Sequence, residues 1–201
     1  MGTAWNKHIQ PFLDSWQWDH FGLIWEPFLK IYPKLDDIQR KNVEDALIES
    51  IFDSDVDIAI KALFIVEALY DSNLASRRLF DLVANRLRVY AHAIKVDDPG
   101  SYYYIIAFSR FGITEAIPVI QSFVEELEKY KNSGSVDAVP AEDGNKYHSN
   151  YKDLLWSCCL SLAHMIPEDV DKWLSVFWKE FPERKHLQGK YGTGDLNFRK
   201  K

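Results

Sequence analysis

The chain predicts an all-α protein built from antiparallel helix pairs, with no sheet. Three observations carry that prediction. Apolar residues recur at helical spacing through most of the chain, as in Val43, Leu47, Ile48, Ile51 and Phe52. The segments carrying this period are joined by very short turns, rich in Asp, Ser, Gly and Pro. No stretch shows the strict apolar–polar alternation of a half-buried strand.

At 201 residues, with 47% apolar and 14% aromatic side chains, the chain is long enough to bury a sizeable core. Residues 1–182 are expected to form one helical domain. The charge is unevenly spread. Residues 183–201 hold six basic and two acidic side chains, net +4, which leaves −10 on residues 1–182 out of the total of −6. A body so acidic repels phosphate backbones and suits a basic protein partner. The 183–201 segment has no periodicity and is expected to be a basic, flexible tail.

Residues 5–31 form an aromatic helical region interrupted by Pro11 and Gly22, with a break at Pro33. Residues 36–52 make an amphipathic helix with Lys41, Asp45 and Glu49 opposite its apolar side. Ser54 or Asp55 caps the next helix, 55–70, which is apolar nearly all round and therefore central. Ser72 or Asn73 is expected to cap a helix running to about Ile94, with Leu79, Val83, Leu87 and Tyr90 in line. Residues 97–100, Asp-Asp-Pro-Gly, end that unit, and Tyr102 to Arg110 follow as a helix stopped by Gly112. Thr114 is expected to cap residues 115–131, whose buried stripe is Ala116, Ile120, Phe123, Leu127 and Tyr130.

Residues 132–149 are poor in apolar side chains and are expected to form an exposed loop. A helix over 150–165 turns Leu155, Cys158, Cys159, Leu162 and Ile166 inward. Pro167 and two acids open the last helix, ending near Phe181, with Trp173, Leu174, Phe177 and Trp178 on its stripe.

Residues 53–59, Asp-Ser-Asp-Val-Asp-Ile-Ala, followed by Ala62-Leu63 and Glu67-Ala68-Leu69, resemble the start of a HEAT-type repeat helix. Residues 109–120 are closer still: a Gly turn, an Ala and then Pro-x-Ile resemble the lyase-type HEAT repeats. The resemblance covers residues 53–124 and extends to the flanking pairs by analogy. The chain departs from the family pattern in lacking an Arg after the Asp turn, with Ala59 and Lys61 there. The resemblance implies a solenoid of about four helix pairs. It further implies that the second helix of each pair, here 36–52, 74–94, 114–131 and 168–182, lines a concave partner-binding face.

No catalytic signature is present. The six histidines are scattered, and none forms an HExxH pair. Asp19 and His20 are neighbours, so on a helix they diverge by about 100° and make a poor base–orienter pair. Ser157, Cys158, Cys159 and His164 suggest a nucleophile set, but Cys158 and Cys159 fall on the buried stripe, where a thiol is inert. Adjacent helical cysteines do not bridge readily, so both read as small hydrophobes of a reducing compartment. Gly192-Thr193-Gly194-Asp195 has no helix after it and reads as a turn. No cofactor or metal is expected.

Glu67 is the carboxylate within an apolar face, expected to pair with Lys61 or an Arg. Arg77, Arg78, Arg86 and Arg88 are expected to pair with nearby acids, the other option being a strip for phosphate. Asp36, Asp37, Asp45, Glu49 and Asp53, then Glu115, Glu125, Glu126 and Glu128, give acidic surfaces on two of the lining helices. Tyr102, Tyr103 and Tyr104 point all around one helical turn, and Tyr103 and Tyr104 are candidate interface anchors. The partner-binding set is therefore Asp37, Asp45, Glu49, Asp53, Tyr103, Tyr104, Glu125, Glu126 and Glu128.

The N-terminus lacks a signal-peptide run, and the longest apolar stretch, 58–69, is too short to span a bilayer. A cytoplasmic monomer is expected, with no membrane or nucleic-acid contact. In type, a small acidic aromatic-rich helical protein is similar to the bacterial immunity proteins that occlude toxins, often basic nucleases. That resemblance implies an inhibitor without an active site. The rival expectations are a HEAT-like base glycosylase, a chromophore lyase, or a scaffold subunit. A glycosylase needs a basic aromatic cleft, which an acidic body opposes.

Overall fold

A computed structural model of the chain describes residues 3–14, 26–96, 98, 100–132 and 151–180. Among these the regular structure is helical, with no strand, so the protein is all-α. The helices are α1 (Thr3–His8), α2 (Gln10–Asp14), α3 (Glu26–Ile31), α4 (Asp37–Ser50), α5 (Val56–Asp71), α6 (Arg77–Ala91), α7 (Ser101–Arg110), α8 (Ile117–Asn132), α9 (Tyr151–Met165) and α10 (Val170–Glu180). Short 3-10 turns, Tyr32–Lys34, Thr114–Ala116 and Pro167–Asp169, lead into or out of them. The expected loop over 132–149 and the basic tail lie, apart from Asn132, outside the described residues.

Contacts cluster in two compact units, Met1–Arg86 and Leu87–Lys201, where one domain over 1–182 is expected from the sequence. The boundary falls inside α6.

In the first unit α4 packs on α1 and α5, and α3 packs on α5. The core holds Trp5, Ile9, Leu13, Phe28, Val43, Leu47, Ile51, Leu63 and Leu69. Asp36 starts α4 through a capping box: its carboxylate accepts from the Gln39 N–H at 2.8 Å, and the Gln39 side chain accepts from the Asp36 N–H at 3.1 Å. This satisfies two otherwise open donors of the first turn. Asp55 caps α5, accepting from the Asp57 N–H at 3.0 Å.

The expected cap of the following helix is corrected. Ser72 closes the end of α5 and Asn73 takes a left-handed φ of 54°. The Leu74 N–H then reaches back to the Leu69 carbonyl at 2.8 Å, in the manner of a Schellman turn. Ser76 is the residue whose hydroxyl accepts from the Leu79 N–H, at 3.0 Å, so α6 begins at Arg77.

In the second unit α9 packs against α7, α8 and α10. Leu154, Leu155, Cys158, Cys159, Leu162 and Ala163 are buried, as are Ser157 and Ser161. A helix buried on so many sides is the core element of its unit. Gly112 ends α7 at φ 63°, and the Ile113 N–H reaches the Phe108 carbonyl at 2.8 Å. Thr114 lies within a 3-10 turn and does not cap α8, which begins at Ile117. Ala116, Ile120, Phe123 and Leu127 are buried as expected, and the Tyr130 side chain is outside the described residues.

Candidate functional site

The acidic residues of the first unit divide into two kinds. Asp37 and Glu49 are exposed on α4, three turns apart. Neither has an ion pair or side-chain hydrogen bond to another described residue. Asp45 and Asp53, expected beside them as partner-binding groups, are already engaged. Asp45 accepts from Lys41 at 3.3 Å and from Arg78 of α6. Those hydrogen bonds, Arg78 first, hold the Asp45 carboxyl below its usual range. Asp53 accepts from the Asp55 N–H at 2.9 Å and so braces the turn before α5. Asp45, expected as a partner-binding residue, thus carries a charge balanced within the fold.

One residue before Asp45, Glu44 is buried at 4% exposure. Its carboxylate accepts from the Tyr32 hydroxyl at 2.6 Å and from Arg78 Nη1 at 3.2 Å. Burial, then the hydrogen bond to Glu44, pushes the Tyr32 phenol well up. Arg78 thus bridges two carboxylates on α4, and Arg86 adds a bond to the Ile48 carbonyl at 2.6 Å. Arg77 pairs with Asp81 at 3.6 Å, and in the second unit Arg88 pairs with Glu115 at 3.5 Å. Arg77, Arg78 and Arg88 pair with acids as expected, whereas Arg86 is held by a backbone carbonyl. Lys61 pairs with Asp57 on the preceding turn, and Glu67 is buried.

In the second unit Glu125 is exposed and Glu126 half-buried on α8, neither paired with another described residue. The Glu128 side chain lies outside the described residues. Tyr103 is half-buried, its ring edge-on to Tyr102 at 4.8 Å. Tyr104 is not an available anchor. It is 5% exposed and lies against Tyr90 at 4.7 Å, and burial pushes its phenol well up. The helical turn must bury one of the three tyrosines, and the structure buries the third.

A groove of about 160 Å³ lies between α7 and α9. Tyr102, Ile106, Ser109 and Arg110 form one wall, and Trp156, Ser157, Leu160 and Ser161 the other. Ser161 donates to the Ile105 carbonyl at 3.1 Å, tying the helices together. Sequence reasoning missed this feature. Its signal is small serines at otherwise apolar helical positions, which let two helices approach closely beneath larger rims.

Cys158 and Cys159 are buried free thiols, and burial pushes the Cys158 thiol well above its ordinary value. Burial likewise lowers the His164 imidazole. A buried neutral thiol does not act as a nucleophile. Among the described residues no group of three or more His, Cys, Asp or Glu could hold a metal ion. No helix among them is long and apolar enough to cross a membrane. No protein-family model, curated protein or solved structure matches the chain.

Proposed function

We propose that the protein is a binding inhibitor of the immunity type, which occludes a basic protein partner, a toxin domain of the nuclease class. The observation that carries this reading is the exposed carboxylate pair Asp37 and Glu49 on α4, without partners among the described residues, on a unit whose residues 1–86 sum to −5 from nine basic and fourteen acidic side chains. Fixed, uncompensated charge on a rigid helix steers a basic partner during encounter and raises the association rate. The capping box at Asp36 and the arginine bridge at Asp45 hold that helix in place. Asp37 and Glu49 lie about 18 Å apart along the axis at helical rise, a span within one side of an ordinary interface. Occlusion needs no catalytic group. The HEAT-like arrangement belongs to the same proposal: α4 and α6 meet through Arg78 and Arg86, as alternate helices of stacked pairs do.

The test is rescue. Co-expression of the chain should protect cells from the captured partner's toxicity. The Asp37→Lys/Glu49→Lys variant should protect less while keeping its helical circular dichroism. Undiminished protection by that folded variant refutes the assignment to α4. Turnover of a modified base by the isolated chain would replace the inhibitor reading with an enzymatic one.

A further inference from the structure

The groove between α7 and α9 lies within the second unit and is independent of the acidic surface on α4. On α7, Tyr102, Ile106 and Ser109 line it at the i, i+4, i+7 spacing of one helical face. On α9, Trp156 and Leu160 stand one turn apart. Tyr102, Ile106, Trp156 and Leu160 are half-buried and make the lining mostly apolar. The polar groups along it are spent, with one exception. Arg110 and Ser157 are engaged in interactions of their own, and Ser161 donates to the Ile105 carbonyl at 3.1 Å. Ser109 is the exception. It is 8% exposed, and its hydroxyl has no hydrogen bond to another described residue. Its oxygen is not sealed inside the protein either, so it opens on the groove that the residue lines. A hydroxyl so deeply buried without a partner has hydrogen-bonding capacity left for a ligand.

Size and polarity select the occupant. An apolar cavity of about 150 Å³ takes one benzene ring, so the groove, at about 160 Å³, holds one ring with a short substituent. A lining of two aromatic and two aliphatic side chains favours an aromatic body over a polar one. With Arg110 already engaged, a charged ligand would give up its hydration without a free counter-charge, so the occupant is neutral. One open hydroxyl matches one hydrogen-bonding group on the ring. We propose that this groove binds a small uncharged aromatic alcohol of the size of phenol, its hydroxyl bonded to Ser109 and its ring against Ile106 and Leu160. The ligand's hydroxyl takes over the hydrogen bond that solvent offers Ser109 in the free protein, which a plain hydrocarbon cannot do.

The experiment uses the full chain with labelled Ile and Leu methyl groups, and phenol, toluene and benzoate as probes, read by NMR titration. Phenol should saturate with a dissociation constant of about a millimolar. Its ring protons should give nuclear Overhauser contacts to the Ile106 and Leu160 methyls. Toluene, the same shape without the hydroxyl, should bind about fivefold more weakly, since a neutral hydrogen bond is worth about that factor. Benzoate should bind more weakly than phenol. Ser109→Ala should bring phenol down to the level of toluene and leave toluene no weaker. Alanine is the better helix former, so this variant should keep its helical circular dichroism. If it does not, the comparison of phenol with toluene on the unaltered chain decides alone. Absence of saturation by phenol, contacts to methyls other than these two alone, equal affinity for phenol and toluene, tighter binding of benzoate than of phenol, or undiminished phenol binding by a folded Ser109→Ala variant each overturns the proposal.

Discussion

Replacing Arg78 by Met should destabilise the protein by about 2 kcal/mol, well beyond what a surface ion pair delivers. Arg78 Nη1 lies 3.2 Å from a Glu44 carboxylate whose side chain is 5% exposed. At an effective dielectric constant of about 20, that separation is worth about 5 kcal/mol of Coulomb attraction. The Arg78 side chain is 42% exposed, so solvent screening and the hydration regained on its removal offset more than half. What remains is the cost of leaving Glu44 buried with the Tyr32 hydroxyl as its donor, about 2 kcal/mol. Asp45→Asn removes the other arm of the bridge, but that pair is exposed on both sides and should cost below about 1 kcal/mol. Tyr32→Phe removes the 2.6 Å bond to the same carboxylate and should cost about 1.5–3 kcal/mol. The double variant Tyr32→Phe/Arg78→Met should cost more than the sum, by at least about 0.5 kcal/mol, because neither partner then covers the charge. Urea unfolding followed by tryptophan fluorescence reads all four, and a 2 kcal/mol loss lowers the midpoint temperature by about 4–8 °C. If Arg78→Met costs no more than Asp45→Asn, the buried carboxylate is not held in the way described.

Gly112→Ala should cost about 1 kcal/mol in the same assay: a Cβ there meets no atom within 4 Å, so the loss comes from the left-handed φ of 63° alone. Stability should fall above about pH 10, the ordinary tyrosine value. The Tyr32 and Tyr104 phenols are held well above it and Tyr90 is pushed up to about 12, so the unfolded chain gives up these protons first. Their contribution is whole below the unfolded value and is lost as pH rises through the folded ones; a melting temperature flat from pH 8 to beyond pH 11 would contradict it.

Most helix boundaries were legible because they rest on local chemistry. Asp36 with Gln39 three residues later is a capping box in any context, and Asp55 before an apolar run is an N-cap. The start of α6 was not, because Ser72, Asn73 and Ser76 are all cap formers, and the turn closing α5 takes the first two. Glu44 stands three before Leu47 and four before Ile48, hence on the apolar side of α4. Its charge class hid that position, and its partners Tyr32 and Arg78 lie 12 and 34 residues away in the chain. For the same reason the pairing of Asp45 is not legible locally: the arginine that balances it arrives from another helix. The α7–α9 groove depends on two segments more than 40 residues apart meeting at serines, which no local pattern announces.

The association rate of the chain with its captured partner, measured against ionic strength, tests the proposed inhibitor function most directly. A basic partner steered by Asp37 and Glu49 should associate more slowly as salt rises from about 0.05 to 0.5 M, over which the Debye length shrinks severalfold. Reversing both charges to Lys should flatten that dependence and leave the dissociation rate nearly unchanged. A neutral or acidic partner, or an association rate indifferent to salt, would contradict the account.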